Sequence, residues 1–298
     1  MNKSINPAKR YLLSLESEQS RSSMNSLLNV AAGYFEPDAD LSTYDWSLLN
    51  IDDVYRLRDS LRRKKKAPST INTYLAALKG VAKEAWRLKL ISIDNYQQIK
   101  EIKRAKGARE STSRALSLKE LNDMLDHCMV LEGIIAMRDA ALIALVYCAG
   151  LRRHEAAGLI LSGYSKRQAK ITVIGKGNKE RSNPLNSRVI DIIECWLDER
   201  GRKPGPLFTR VFKGNRITEL SISPQTVYDI IVRRYKEAGL KKMTPHDLRR
   251  TYATNLLANG EDLFVVQDLM NHASLETTKK YDKSDDKMKI KAAKALPL

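Results

Sequence analysis

Cysteine and histidine are scarce in this chain. Its 298 residues include three cysteines, Cys128, Cys148 and Cys195, and four histidines, His127, His154, His246 and His272. An odd number of cysteines, widely spaced and without a Cys-x-x-Cys pair, argues against a disulfide framework and predicts reduced, buried thiols. None of the histidines stands at finger spacing from a cysteine, which argues against structural zinc. Long apolar runs are also missing. The longest, Ala140 to Leu151, is twelve residues, where about 20 are needed to span a bilayer. Met1-Asn2-Lys3-Ser4 leads into charged sequence rather than an apolar signal core, which predicts no secretion and a cytoplasmic protein. Internal repeats, low-complexity tracts and lipidation motifs are absent as well.

What the chain has in excess is positive charge. Lys and Arg number 52 against 35 Asp and Glu, a formal net charge of +17, so a polyanion is the expected partner. An anionic membrane competes for that role, but no strongly amphipathic basic terminus supports it. Nucleic acid is favoured. A hydrophobic content of 43% is ordinary for a globular protein, and the length allows two domains with their own cores.

The first hundred residues read as short helices. Tyr11, Leu12 and Leu15 begin an apolar stripe that Leu27, Leu28, Ala31, Ala32, Tyr34 and Phe35 continue until Pro37. Ile51, Val54, Leu57 and Leu61 form a second stripe on a segment whose other side is basic, and a third helix is predicted from Ser69 through Trp86. Between them runs Arg62-Arg63-Lys64-Lys65-Lys66. Such a run is either a solvated surface or a set of phosphate contacts, which give salt-dependent affinity without sequence information. From Ile99 to Ser113 apolar periodicity is lost while Lys103, Arg104 and Lys106 accumulate, the pattern of a linker lying along a polyanion.

A second domain opens at the capping-box sequence Ser117-Leu118-Lys119-Glu120. A mostly apolar helix over Met137 to Val146 ends at Ala149-Gly150, and Gly150-Leu151-Arg152-Arg153-His154-Glu155 follows. Ile171 to Ile174 and Glu180 to Leu185 flank a Gly/Asn-containing turn and read as a hairpin. The turn, Gly175-Lys176-Gly177-Asn178-Lys179, lacks the order of a nucleotide-binding phosphate loop and leads into a strand, so ATP binding is a poor reading. From Pro224 on the chain is helical again. Thr244 can cap a helix, Pro245 suits its first position and Asp247 answers the free amides. His246 and Arg249, three residues apart, then share a face. Gly260 closes this helix, a second apolar run spans Leu263 to Met270, and His272 and Tyr281 lie nine residues apart. Two bases, a permanent cation and a phenol in one stretch suit phosphodiester chemistry.

This order, His246-Asp247-Leu248-Arg249, then His272, then Tyr281, resembles the C-terminal signature of the tyrosine recombinases of phages, transposons and Xer systems. Gly150-Leu151-Arg152-x-x-Glu155 resembles the family's first arginine motif, and Gly175-Lys176-Gly177 resembles its hairpin turn. The resemblance is strongest from Met137 to Tyr281; the first hundred residues are similar only in architecture. It implies a mainly α fold with a small antiparallel sheet. A helical, SAM-like core-binding domain over residues 1–108 and a basic linker over 109–113 would precede a mixed α/β catalytic domain with a C-terminal tail over 114–298. The two domains would form a C-shaped clamp on DNA.

The resemblance also implies roles. Arg152 and Arg249 would bind the scissile phosphate, with Arg153 the alternative to Arg152. Glu155 would support them by hydrogen bonds. His246 would assist proton transfer with the nucleophile, His272 would hydrogen-bond the phosphate, and Lys176, or Lys179 from the same turn, would protonate the leaving 5′ oxygen. Tyr281 would be the nucleophile; Tyr228, Tyr235 and Tyr252 are expected in the core or facing DNA. Arg62, Arg63, Lys64, Lys65, Lys66, Lys103, Arg104, Lys106 and Arg250 are candidate DNA contacts. The implied reaction is site-specific recombination through a 3′-phosphotyrosine and a Holliday junction, with no metal, ATP or other cofactor. The implied assembly is a homotetramer on DNA that exchanges C-terminal tails from Met288 onward, with accessory proteins as further partners and no membrane. The alternatives are a type IB topoisomerase and a non-catalytic DNA-binding accessory protein. Three departures stand out: many relatives have His where Arg250 stands, Ser where His154 stands and Gly where Asn271 stands. Asn tolerates the left-handed backbone that the turn before His272 requires.

Overall fold

In a computed structural model the described residues are 6–107, 113–175, 180–271 and 278. The chain divides into two compact units, Met1–Glu110 and Ser111–Leu298. The first is built from helices α1 (Pro7–Leu13), α2 (Glu18–Phe35), α3 (Ile51–Arg63), α4 (Pro68–Arg87) and α5 (Ile93–Glu101). Asn6, Ser17, Asn50 and Ser92 cap their helices through side-chain oxygens, and Pro68 takes the first position of α4. Helix α4 is the centre of this unit because apolar residues occupy most of its circumference. Ile71, Leu75, Leu78, Val81, Ala82 and Ala85 are all buried, and α1, α2, α3 and α5 pack around it. Gly80 is required there, since a Cβ would lie 2.2 Å from the Tyr11 ring. The expected linker starts later than its composition suggested. Ile99 belongs to α5, and both it and Ile102 are buried in the core, so two apolar anchors outweigh the surrounding lysines.

The second unit comprises α6 (Leu118–Val130), α7 (Ile134–Cys148), α8 (Arg153–Ala157), β1 (Tyr164–Ser165), β2 (Lys170–Ile174), β3 (Glu180–Pro184) and α9 (Ser187–Arg200). There follow β4 (Thr209–Phe212), β5 (Arg216–Ser221), α10 (Pro224–Glu237), α11 (Pro245–Ala258) and α12 (Leu263–Met270). Helix α7 is apolar on every side and therefore runs through the middle, against α6, α9, α10 and α11. Its one charged pair, Arg138 and Asp139, is buried too. Asp139 accepts from Arg138 Nη2 at 2.8 Å and from Arg234 Nε of α10 at 2.8 Å, so a closed ion cluster bolts α7 to α10.

Strands β1, β2 and β3 form an antiparallel sheet in that order. Its register sets Ile171 opposite Asn183 and Val173 opposite Arg181. Directly paired residues share a face, and Ile171 and Val173 are buried. Arg181 and Asn183 are therefore polar residues on the core face. The antiparallel pair β4–β5 was not anticipated from sequence: its short strands carry little periodicity and bury only Thr209 fully. The thiols also differ from expectation. All three cysteines are free, but only Cys128 is buried; Cys148 is half-buried and Cys195 exposed. Residue 195 falls opposite the face of α9 that buries Val189, Ile192, Ile193, Trp196 and Leu197.

Helix α7 ends at Gly150, whose φ of +55° lies in the left-handed region and whose added Cβ would stand 2.6 Å from the Tyr252 ring. Gly150→Ala is expected to lower stability by about 2–4 kcal/mol through backbone strain and overpacking, read from the midpoint of chemical denaturation.

Candidate active site

The sharp turn at Gly150 redirects the chain so that Arg152 precedes α8. Glu155, one turn into that helix, reaches back: Oε2 accepts the Arg152 backbone N–H at 2.8 Å and Oε1 accepts Arg152 Nη1 at 2.9 Å. This is a contact like an i,i+3 surface pair in a far less exposed setting. The Glu155 side chain is 0% exposed and that of Arg152 34%. Arg153, the alternative to Arg152, turns away and lies over the Tyr228 ring at 6.0 Å.

Arg181, which the motif reading passed over, brings a second guanidinium to the same carboxylate. Its Nη1 and Nη2 donate to Glu155 Oε1 and Oε2 at 3.1 and 3.0 Å. Arg249 adds a third, with Nη1 at 3.8 Å from Glu155 Oε2. Burial raises the Glu155 pKa, but hydrogen bonds and charge from Arg181 and Arg152 outweigh it and hold the carboxyl at about 2. The hairpin register sets Arg181 across from Val173 on the inward face.

On α11, Thr244 caps as expected. Asp247 Oδ2 accepts the Thr244 N–H at 2.7 Å and its hydroxyl at 2.8 Å. The other Asp247 oxygen accepts Ser113 Oγ at 2.6 Å and the Arg114 N–H at 3.0 Å, so the chain entering this unit is stitched to the start of α11. His246 lies in the first turn beside these bonds. Partial burial lowers its pKa, the cations Arg249, Arg250 and Arg152 act in the same direction, and Asp247 opposes them. His154 is shifted the same way, mainly by partial burial. Both shifts favour the neutral imidazole.

Arg249 is buried at 3% side-chain exposure and spans two segments, Nη1 donating to the Gly150 carbonyl and Nη2 to that of Met270. Arg152 Nη2 donates to Asn271 O at 3.2 Å, and Asn183 Nδ2 to Leu269 O at 3.1 Å. Three consecutive carbonyls at the end of α12 are thus satisfied by side chains from three other segments. Asn271 ends α12 in the left-handed conformation, φ 47° and ψ 55°. Of the motif residues, Arg152, Glu155, His246 and Arg249 converge here. Lys176, Lys179, His272, Tyr281 and the tail from Met288 lie outside the described residues. Arg62 to Lys66 are exposed at the end of α3, as are Lys103, Arg104 and Lys106 beyond α5; Arg250 is half-buried.

A family profile described as "Phage integrase family" matches residues 114–288. The chain belongs to the phage integrase family. Among its relatives, Tyrosine recombinase XerC of Alcanivorax borkumensis is 29% identical over 280 residues, covering 92% of this chain and 88% of that protein. Tyrosine recombinase XerC of Myxococcus xanthus is 32% identical over 224 residues, covering 72% and 71%. In fold, this integrase-family chain is similar to the Tn1549 transposon integrase, solved in complex with a circular intermediate DNA. The TM-score is 0.71 at 15% identity, over 98% of both chains. The resemblance read from the motifs is borne out, and so is a mainly helical fold with small antiparallel sheets. None of these matches supports the topoisomerase alternative. Among the described residues no helix is long and apolar enough to cross a membrane.

Glu155 gives the site a pH signature. Its folded pKa is depressed below the ordinary 4.5, so its contribution to stability is present above pH 4.5 and is lost as pH falls towards 2. Denaturant unfolding across that window is expected to lose about 3 kcal/mol from this group, an increment missing from Glu155→Gln.

Proposed function

We propose that this protein is a site-specific DNA recombinase that cuts and rejoins strands through a covalent bond between Tyr281 and a 3′ phosphate. The observation that carries the proposal is a charge imbalance. Three guanidiniums, Arg152, Arg181 and Arg249, surround the buried carboxylate of Glu155, with Arg152 still a third exposed. The pocket is short of an anion, and a phosphodiester supplies one.

The residues then divide the work. Attack on the phosphate builds negative charge on its nonbridging oxygens, where Arg152 and Arg249 offer paired, permanently charged donors. Ionising a phenol of pKa near 10 at pH 7 costs roughly 4 kcal/mol. A neutral His246 can accept that proton, and the surrounding cations favour the phenolate. The Tyr281 oxygen bonds to phosphorus, the bond to the 5′ oxygen breaks, and Lys176 supplies the proton that leaves with the 5′ hydroxyl. His272 hydrogen-bonds the phosphate. Because the diester is retained on the protein, resealing to another strand needs no ATP.

The net charge of +17 and the exposed lysines and arginines of residues 62–66 and 103–106 fit phosphate-backbone contacts that carry affinity but not sequence. The DNA complex of the transposon integrase supports the same partner for this chain. In this reading the helical first unit is the core-binding domain, and the second carries the chemistry. The assembled form is a homotetramer on a Holliday junction, its tails exchanged between subunits.

On nicked duplexes bearing the recombination site, a covalent adduct visible on denaturing gels is expected for the wild type and absent for Tyr281→Phe. Arg152→Ala should slow adduct formation by about 10²- to 10³-fold, the loss of one charge-stabilising donor. An undiminished adduct in Tyr281→Phe, or adducts on arbitrary DNA, would overturn the proposal.

A further inference from the structure

Strand β3 presents two polar side chains to the core where apolar ones are expected, and neither belongs to a recognised motif. Asn183 is fully buried and donates to Ala149 O at 3.3 Å and to Leu269 O at 3.1 Å. Arg181 is the more unusual. Its side chain is 8% exposed, both terminal nitrogens are spent on Glu155, and its Nε donates to Asn183 Oδ1 at 3.2 Å. All three nitrogens are therefore engaged within the protein, and little of the side chain reaches solvent. Burying a guanidinium costs desolvation that only a fitted partner offsets.

We propose that Arg181 is a positioning residue that acts through Glu155. By clamping both carboxylate oxygens in a planar fork it fixes the one anion against which Arg152 and Arg249 are set, and so holds the phosphate pocket in register without touching substrate. Arg152 gives each carboxylate oxygen one bond, from its backbone N–H and from Nη1; the planar fork of Arg181 gives each oxygen a second, which narrows the orientations the carboxylate and the Arg152 side chain can take together. Lysine, a point donor, cannot reproduce the fork. Among the described residues, the charged and titratable groups facing Glu155 are Arg152 and His154 of the α8 segment, Arg181 of β3 and Arg249 of α11. Without Arg181, burial of Glu155 favours its protonated form. A protonated Glu155 would release Arg152 in turn.

The inference rests on the function proposed above, and two assays on the full chain separate their failures. In the first, single-turnover adduct formation is measured from pH 5 to 9 for wild type, Arg181→Met, Arg181→Lys, Glu155→Gln and the Arg181→Met/Glu155→Gln double variant. Arg181→Met is expected to be about 10²-fold slower at neutral pH, with an acid limb at higher pH than the wild type's. Arg181→Lys should regain part of the rate. In the Glu155→Gln background Arg181→Met should add little, and the two pH profiles should coincide. Equal losses in both backgrounds, or an acid limb that does not move, would overturn the proposal. In the second assay, inorganic phosphate is titrated while the Arg152 Nε–H signal is followed by NMR, which needs no turnover. Arg181→Met should weaken that response in the wild type and not in Glu155→Gln. If the wild type forms no adduct, the functional reading fails and the phosphate cycle alone decides the role of Arg181. Should Arg181→Met fail to fold, Arg181→Lys and the charge-balanced double variant carry the same comparison.

Discussion

One buried carboxylate constrains the whole second unit. Glu155 has no solvent to stabilise its charge, so the chain must bring it donors, and it does so from three directions: its own helix start, the hairpin strand and α11. The position of β3 against α8, and of α8 against α11, follows from that requirement. The resulting excess of positive charge is held by contacts that cannot relax, which distinguishes it from the mobile lysines on the surface. Preorganisation of this kind costs nothing when a reacting phosphate develops charge.

The end of α12 depends on the same group. A helix terminus leaves its last carbonyls without partners inside the helix. Here Asn183, Arg249 and Arg152 supply them at Leu269, Met270 and Asn271. The arginines thereby do two things at once, satisfying a helix end and presenting cationic edges. This is why the chain leaves α12 beside the guanidiniums rather than elsewhere, and why the left-handed Asn271 is needed to make the exit.

Much of this was legible in residue order. The capping sequences before α6 and α11, the all-apolar α7 and the turn at Gly150 follow from local chemistry that tertiary contacts reinforce. Arg152, Glu155, His246 and Arg249 could be picked out because each sits at a fixed offset from such a signal. Arg181 could not, because its meaning lies in cross-strand register: it stands in an otherwise ordinary polar strand and takes its face from Val173, eight residues away. The β4–β5 pair and the exposed Cys195 escaped for a related reason: weakly patterned segments take their faces from what packs on them. Ile99 and Ile102 were hidden by neighbouring lysines, since charge density masks two well-spaced apolar anchors.

The stitch at Asp247 has a mechanical meaning. Ser113 and Arg114 are tied to the first turn of α11, and Leu116 N–H is bonded to Thr251 Oγ1 one turn further on. The chain therefore has two attachment points on this helix before it reaches α6. Tension applied along the entering chain is borne first by the helix that carries His246 and Arg249. Load on the strand of chain at 113–116 therefore passes directly into the pocket's own scaffold, making it a short force path to the arginines.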